Sequence, residues 1–108
     1  MSQKLPKYDL EEIQGLVRNG NLDINYSGQA ETDSVNLGYF DEDVKKCLMS
    51  LTSKHYKNTV KYSIGKIEVD CDEYCINYLG PVDCVDPLYI KFRYNSTWLT
   101  LHSFHRDR

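Results

Sequence analysis

The chain has 108 residues, of which 41% are apolar, and its formal net charge is −3. This length accommodates one domain with a modest core, so we expect residues 1–108 to form a single domain. No apolar run approaches the roughly 20 residues that cross a bilayer, and the N-terminal residues lack the apolar segment of a signal peptide, which excludes membrane-spanning classes and predicts a cytoplasmic protein.

The first half of the chain predicts two helices. Asp9 begins a capping box followed by an apolar stripe, which predicts a helix over residues 9–19. A second amphipathic pattern predicts a helix over residues 41–51. Between them, residues 22–26 alternate like a short strand, and residues 28–38 are mostly polar, which favours a connection without regular structure.

The second half predicts strands. Apolar residues alternate over residues 67–71 and again, on the opposite parity, over residues 74–78, so a bulge or turn near Asp72 is needed to keep both sets on the core side. Strands over residues 88–94 and 97–104, joined by a tight turn, complete the pattern. We therefore expect an α+β fold in which two N-terminal helices pack on an antiparallel β-sheet.

Charge is unevenly distributed along the chain. Residues 51–66, in the linker after the second helix, carry four lysines and no acid, and residues 88–106 carry three basic residues and no acid. Residues 68–86 carry six acids and no basic residue. If the two basic segments meet in space they form a positive region suited to a phosphodiester, although lysines also protect exposed edge strands from aggregation.

The alternation over residues 88–94 places Tyr89, Lys91 and Arg93 on one strand face and apolar residues on the other. One face is then available to pack and the other to carry out chemistry. With the lysines of the first basic segment, this face supplies the candidate phosphate-binding residues: Lys54, Lys57, Lys61, Lys91 and Arg93.

The four cysteines do not predict a metal site. Cys71-x3-Cys75 with Cys84 lacks the paired spacing of a zinc cluster, and the acidic segment lacks the spacing of a calcium loop. In a reducing compartment thiols stay free, and Cys47 has the surroundings of a buried one. We assign no metal and no cofactor.

Short motifs along almost the whole chain, taken together and in order, are similar to a known family. They are Pro6-x-Tyr8-x-Leu10, Ile13, Leu16-Val17 through Gly20, Leu37-Gly38, Tyr56-Lys57, Tyr62-Ser63, Asp70, Tyr89-Ile90-Lys91 and Ser103-Phe104. This series resembles the MqsR family of bacterial toxins. Members of that family are RNA-cleaving toxins of type II toxin–antitoxin systems and have a RelE-like α+β fold.

The resemblance implies a metal-independent endoribonuclease that cleaves single-stranded mRNA, arrests growth and is neutralised by a cognate antitoxin protein. Lys57 matches the family's active-site lysine, Tyr89 its active-site tyrosine, and His105 its basic residue near the C-terminus. A lysine can stabilise the charge that develops on the phosphate, and a histidine titrates near neutrality. The expected RNA contacts are Lys54, Lys61, Lys91 and Arg93.

A rival interpretation is a non-catalytic protein-binding module, either a degenerate toxin or an immunity-like protein. The family's strand glutamine falls on Val69, and the pI near 5.5 is low for a protein that binds RNA. The presence of Lys57 and Tyr89 argues for catalysis. His102 shares strand parity with Phe104, so we expect it to be a packed structural residue.

Overall fold

The structure is a computed structural model that describes residues 5–107. The elements in chain order are α1 (Leu10–Arg18), β1 (Asp23–Tyr26), α2 (Gly28–Asn36), α3 (Asp41–Ser50), a 3₁₀ turn (Ser53–His55), β2 (Tyr56–Ile64), β3 (Ile67–Leu79), β4 (Val85–Tyr94) and β5 (Trp98–Arg106). The strands form one sheet in the order β1-β5-β4-β3-β2. None of the described helices is long and apolar enough to cross a membrane.

The α+β class is confirmed, but two parts of the expected arrangement are wrong. The sheet is mixed and not antiparallel, because β1 runs parallel to β5 while the other pairs are antiparallel. Residues 28–36 form α2 where a connection was expected. The Ser27 side chain accepts a hydrogen bond from the Ala30 N–H, and small buried residues, Ala30 and Ser34, form the inner side of the helix. A helix that packs through such small side chains has little apolar periodicity for sequence patterns to reveal.

The two faces of the sheet have different surroundings. On one face, side chains from the three helices and the strands form a single core, in which the buried strand residues are Tyr74, Ile76, Leu88, Ile90, Phe92, Leu99, Leu101 and Phe104. We call this the helix side. The alternate residues of the same strands point to the opposite face, which the described helices leave open and which we call the open face.

Strand β3 is continuous through Asp72, so the expected bulge there is wrong. Its pairing with β4 runs without interruption from Asp72 to Leu79. The residues of the first apolar set, including Val69 and Cys71, therefore point to the open face, while Tyr74 points to the core. Cys71 is nevertheless fully buried, because side chains on the open face cover it.

The irregularities lie in the neighbouring strands. Residues 56–64, expected in a linker, form β2, and the β2–β3 register shifts between Tyr56 and Asn58, so that Lys57 occupies a bulge. A second shift lies between β4 and β5, where Lys91 pairs with Ser103 but Phe92 pairs with Leu101. Each bulge bends its strand and increases the local twist.

The buried carboxylate of Asp72 fastens the N-terminal segment to the sheet. One oxygen accepts the Lys7 N–H at 2.9 Å and the Thr59 hydroxyl at 2.5 Å, and the other accepts the Tyr8 N–H at 2.9 Å. Asp72 is fully shielded from solvent. A buried carboxylate is tolerated only when hydrogen bonds replace its water, so these bonds hold Asp72 on the helix side.

A second buried carboxylate, Asp86, holds the end of β5 against β4. One oxygen lies 2.6 Å from the Arg106 guanidinium, and the other accepts the Tyr39 hydroxyl at 2.8 Å. Burial and this hydrogen bond raise the pKa of Tyr39. A side chain at Gly80 would collide with the hydroxyl of Tyr39 and with the Asp86 carboxylate, so only glycine fits there. This network holds Arg106, the residue that follows His105.

Replacing Asp72 by Asn should lower the free energy of unfolding by about 2 to 3 kcal/mol. In the wild type the N–H donors face carboxylate oxygens. In the variant an NH₂ group replaces one of these oxygens, so the donors on that side lose their acceptor. Urea unfolding followed by circular dichroism measures the difference. Glu68→Gln, an exposed substitution on the same strand, should change stability by less than about 0.5 kcal/mol. Equal effects of the two variants would contradict this role of Asp72.

Candidate active site

A row of side chains crosses four strands on the open face. Cys75 of β3 pairs with Tyr89 of β4, which in turn pairs with His105 of β5. Lys57, in the β2 bulge, lines a concavity of about 420 Å³ together with Cys75. The three candidates Lys57, Tyr89 and His105 therefore lie on three strands of one face, with Cys75 between Lys57 and Tyr89. We call these three residues and Cys75 the cross-strand row.

His105 stacks on Tyr89, with ring centroids 5.1 Å apart and an interplanar angle of 18°. Its Nδ1 lies 2.8 Å from the carbonyl oxygen of Arg106. Because a carbonyl oxygen can only accept a hydrogen bond, Nδ1 carries a proton, and Nε2 is the nitrogen that can gain or lose one. The stacking and this bond together orient the imidazole.

The Tyr89 hydroxyl donates a hydrogen bond to the carboxylate of Glu73, a residue that the sequence patterns did not single out. Glu73 was missed because a bulge was wrongly expected at Asp72. With β3 continuous, Glu73 has the same parity as Val69, Cys71 and Cys75, which places it on the open face beside Tyr89. Unbroken alternation through Asp72 was therefore the signal that could have identified it.

The groups around Cys75 shift the pKa of its thiol in opposite directions. Burial raises the pKa of the Cys75 thiol, and the carboxylate of Asp107 raises it further, both by charge and by a hydrogen bond. The Lys57 ammonium opposes these effects by stabilising the thiolate. Lys54, from the 3₁₀ turn, lines the same concavity and adds a second positive charge at its rim.

A second cluster lies further along the open face. The Lys91 ammonium sits 5.0 Å from the centroid of the Tyr62 ring, and the Tyr62 ring lies 4.8 Å from that of His102. The Arg93 Nε–H donates to His102 Nε2 at 3.2 Å. We call Tyr62, Lys91, Arg93 and His102 the cationic pad.

His102 belongs to this pad and not to the core. It shares a face with Trp98, but the bulge between β4 and β5 shifts Phe104 to the helix side. Burial lowers the pKa of His102, and the nearby charges of Arg93 and Lys91 lower it further. The imidazole is therefore held in its neutral form, with Nε2 accepting from Arg93.

Lys61 is separated from the other basic candidates. It pairs with Asp70 in the β2–β3 register, on the helix side, and its ammonium lies 3.6 Å from the Asp70 carboxylate. Lys7 also contacts this carboxylate, at 3.3 Å, and together the two lysines lower the pKa of Asp70, with the Lys7 hydrogen bond as the largest effect. The structure thus places Lys61 away from Lys57, Lys91 and Arg93.

The four cysteines are free thiols; Cys47 and Cys71 are buried, and Cys84 is exposed. Burial raises the pKa of Cys47 to about 12. Among residues 5–107, no group of three or more His, Cys, Asp or Glu side chains is arranged to hold a metal ion.

Alkylation of Cys75 tests the position of Lys57. Lys57→Met should slow the reaction of Cys75 with iodoacetamide at pH 8, because loss of the ammonium raises the thiol pKa and reduces the thiolate, the reacting form. Asp107→Asn should speed it, because a negative charge is removed. Peptide mass spectrometry measures each rate, with the exposed Cys84 as the internal reference. A Cys75 rate unaffected by Lys57→Met would place the ammonium away from the row.

The comparisons with known proteins leave the family open. No model of a known protein family matches the chain, and a search of curated proteins finds no match to its sequence. The resemblance to the MqsR family therefore rests on the motifs in the sequence.

Proposed function

We propose that the chain is the toxin of a type II toxin–antitoxin system, with a RelE-like fold, and that it cleaves single-stranded mRNA as a metal-independent endoribonuclease. The cross-strand row carries the proposal. Lys57, Tyr89 and His105 are 48 positions apart from first to last in the sequence, yet they share one exposed face. RNA cleavage can use a positive charge, a phenol and an imidazole that is held in one orientation.

Cleavage of RNA without a metal requires three things of the protein. The 2′-hydroxyl has to lose a proton as it attacks the phosphorus, the extra negative charge on the phosphate has to be stabilised, and the departing 5′-oxygen has to be protonated. In our proposal Lys57 supplies the positive charge at the phosphate, supported by Lys54 at the rim of the concavity. Lys91 and Arg93 bind the adjoining part of the strand.

Two neighbouring groups can transfer the protons. The Tyr89 oxygen accepts the proton of the 2′-hydroxyl while the phenol passes its own proton to Glu73, the carboxylate to which it is already hydrogen-bonded. Protonated His105 donates from Nε2 to the 5′-oxygen, because its Nδ1 is directed to the Arg106 carbonyl. The two rings stack with their centroids 5.1 Å apart, so in our proposal both proton-transfer groups reach one phosphate.

The proposal includes a partner and a site of action. A cognate antitoxin protein would neutralise the toxin, and the toxin would act on mRNA in the cytoplasm and inhibit growth. The open face presents the exposed Lys57 and Trp98 to a macromolecular ligand. RNA would be recognised through phosphate contacts and stacking, since single strands expose both.

One observation favours the rival interpretation, a non-catalytic binding module. Glu73 and Asp107 bring two carboxylates to the neighbourhood of the row. Unless a carboxylate takes part in proton transfer, its charge repels a phosphate. The effect of neutralising Glu73 therefore distinguishes a catalyst from a module that binds another protein.

In a cleavage assay on single-stranded RNA at low salt, Lys57→Ala, Tyr89→Phe and His105→Ala should each reduce the rate by about 10² or more. Tyr89→Phe keeps the ring that stacks on His105 and removes only the hydroxyl. Expression of the wild type should arrest growth, and the same variants should relieve the arrest. Lys46→Ala removes an exposed lysine from α3 and serves as the matched control, with no expected change.

Glu73→Gln separates the two functions in the same assay. If Glu73 receives the Tyr89 proton, the variant cleaves more slowly although it binds RNA at least as tightly as the wild type. If the wild type neither cuts RNA nor arrests growth while remaining folded, the ribonuclease proposal is overturned and the binding module replaces it.

A further inference from the structure

We propose that the open face carries base-stacking subsites, with Tyr62 in the cationic pad and Trp98 beyond it, which bind the nucleotides next to the one that is cleaved. This inference rests on the proposed function in that it takes single-stranded RNA as the ligand. It adds that the ligand extends several nucleotides along the strands, away from the cross-strand row.

The sheet is curved where this path crosses it. Tyr62 lies on β2 and His102 on β5, and β3 and β4 run between them, which in a flat sheet would separate the two strands by about 14 Å. Their ring centroids are nevertheless only 4.8 Å apart. The sheet is therefore strongly curved here, and the Tyr62 and His102 side chains meet across its concave face.

The pad combines the two features that sequence-tolerant sites for single strands require. Lys91 and Arg93 provide positive charge for the backbone, and the part of Tyr62 that Lys91 and His102 leave exposed, 40% of the residue, is where a base can stack. Arg93 and His102 also hold each other through the hydrogen bond between them. The charges and the ring are thus positioned before any ligand binds.

Trp98 lies at the far side of the pad. With 40% of the residue exposed, it lines a concavity of about 250 Å³ that also includes Arg93 and Thr100. The opposite wall carries the carboxylates of Glu68 and Asp70. Lys7 and Lys61 compensate the Asp70 carboxylate, so Glu68 is the acid of this wall that repels phosphate. A neutral base can stack on the indole there, while Arg93 contacts the backbone outside.

The spacing defines the length of the ligand. Tyr89 in the row and Arg93 beside Trp98 are four residues apart along β4, which is a distance of about 13 Å. Lys91 lies midway, on the same face. A ligand that reaches both the row and the indole must therefore contain more than one nucleotide, and a mononucleotide occupies only part of the path.

Trp98 is the only tryptophan in the chain, so its fluorescence reports this subsite directly. The probe is a 2′-O-methyl adenosine hexamer, in which cleavage is blocked because the attacking hydroxyl is methylated. We expect the hexamer to quench Trp98 fluorescence on binding at low salt, because a base stacks on the indole. Adenosine monophosphate at equal nucleotide concentration should quench far less.

The variants Tyr62→Leu and Trp98→Leu remove an aromatic ring and keep an apolar side chain at each position. Each should weaken binding of a labelled hexamer, measured by fluorescence anisotropy, by about fivefold or more. Phe40→Leu changes an exposed aromatic residue at the start of α3 and should leave the affinity unchanged. Circular dichroism confirms that each variant is folded.

The outcomes separate this inference from the ribonuclease activity. Quenching together with weaker binding by both Leu variants supports the stacking path, even if the wild type cuts no RNA. Binding without quenching, at an affinity that both Leu variants retain, overturns the path, even if the wild type does cut RNA. A complete absence of hexamer binding overturns it as well.

Discussion

The buried carboxylate of Asp72 determines which side chains reach each face of the sheet. Its charge is stable away from water only where the N–H groups of Lys7 and Tyr8 and the Thr59 hydroxyl can reach it, and those groups lie on the helix side. Side chains alternate along a strand, so the next residue, Glu73, has to point to the open face. The pairing of β3 with β4 then carries this alternation to Tyr89 and its neighbours.

The same alternation separates the charges of an acidic protein. On β3, Glu68, Asp70 and Asp72 share the parity of the helix side, and lysines and backbone N–H groups compensate Asp70 and Asp72. The open face receives Lys91 and Arg93 from β4. A net charge of −3 therefore does not describe the surface that would meet RNA, because physiological salt screens the interaction between exposed charges more than about 8 Å apart. Glu73 and Asp107 are carboxylates beside the row, and in the proposed mechanism Glu73 takes up a proton.

Strong local patterns allowed much of the fold to be predicted. Periodicity predicts α1 after its cap at Asp9, the helix that is α3 in the structure, and the alternation of β4. The structure confirms all three. Helix α2 packs through Ala30 and Ser34, which produce no apolar stripe. The register of β3 depends on the burial of Asp72. Sequence patterns place a charged residue with polar neighbours at the surface, so they could not predict this burial. That error concealed Glu73 as a neighbour of Tyr89. Lys61 was grouped with Lys57 because residues 51–66 were expected to be a linker, whereas residues 56–64 form β2, in which alternation places Lys61 on the helix side.

The central claim is that the open face, and not the helix side, binds single-stranded RNA. Amide chemical-shift mapping with a 2′-O-methyl hexamer tests it most directly, because it reports every backbone position of the folded protein at once. Our account predicts shifts concentrated at residues 57, 73, 89, 91, 93, 98 and 105, with little change in α1, α2 and α3. Shifts confined to the helices, or to Lys61 and its neighbours on the helix side, would contradict it.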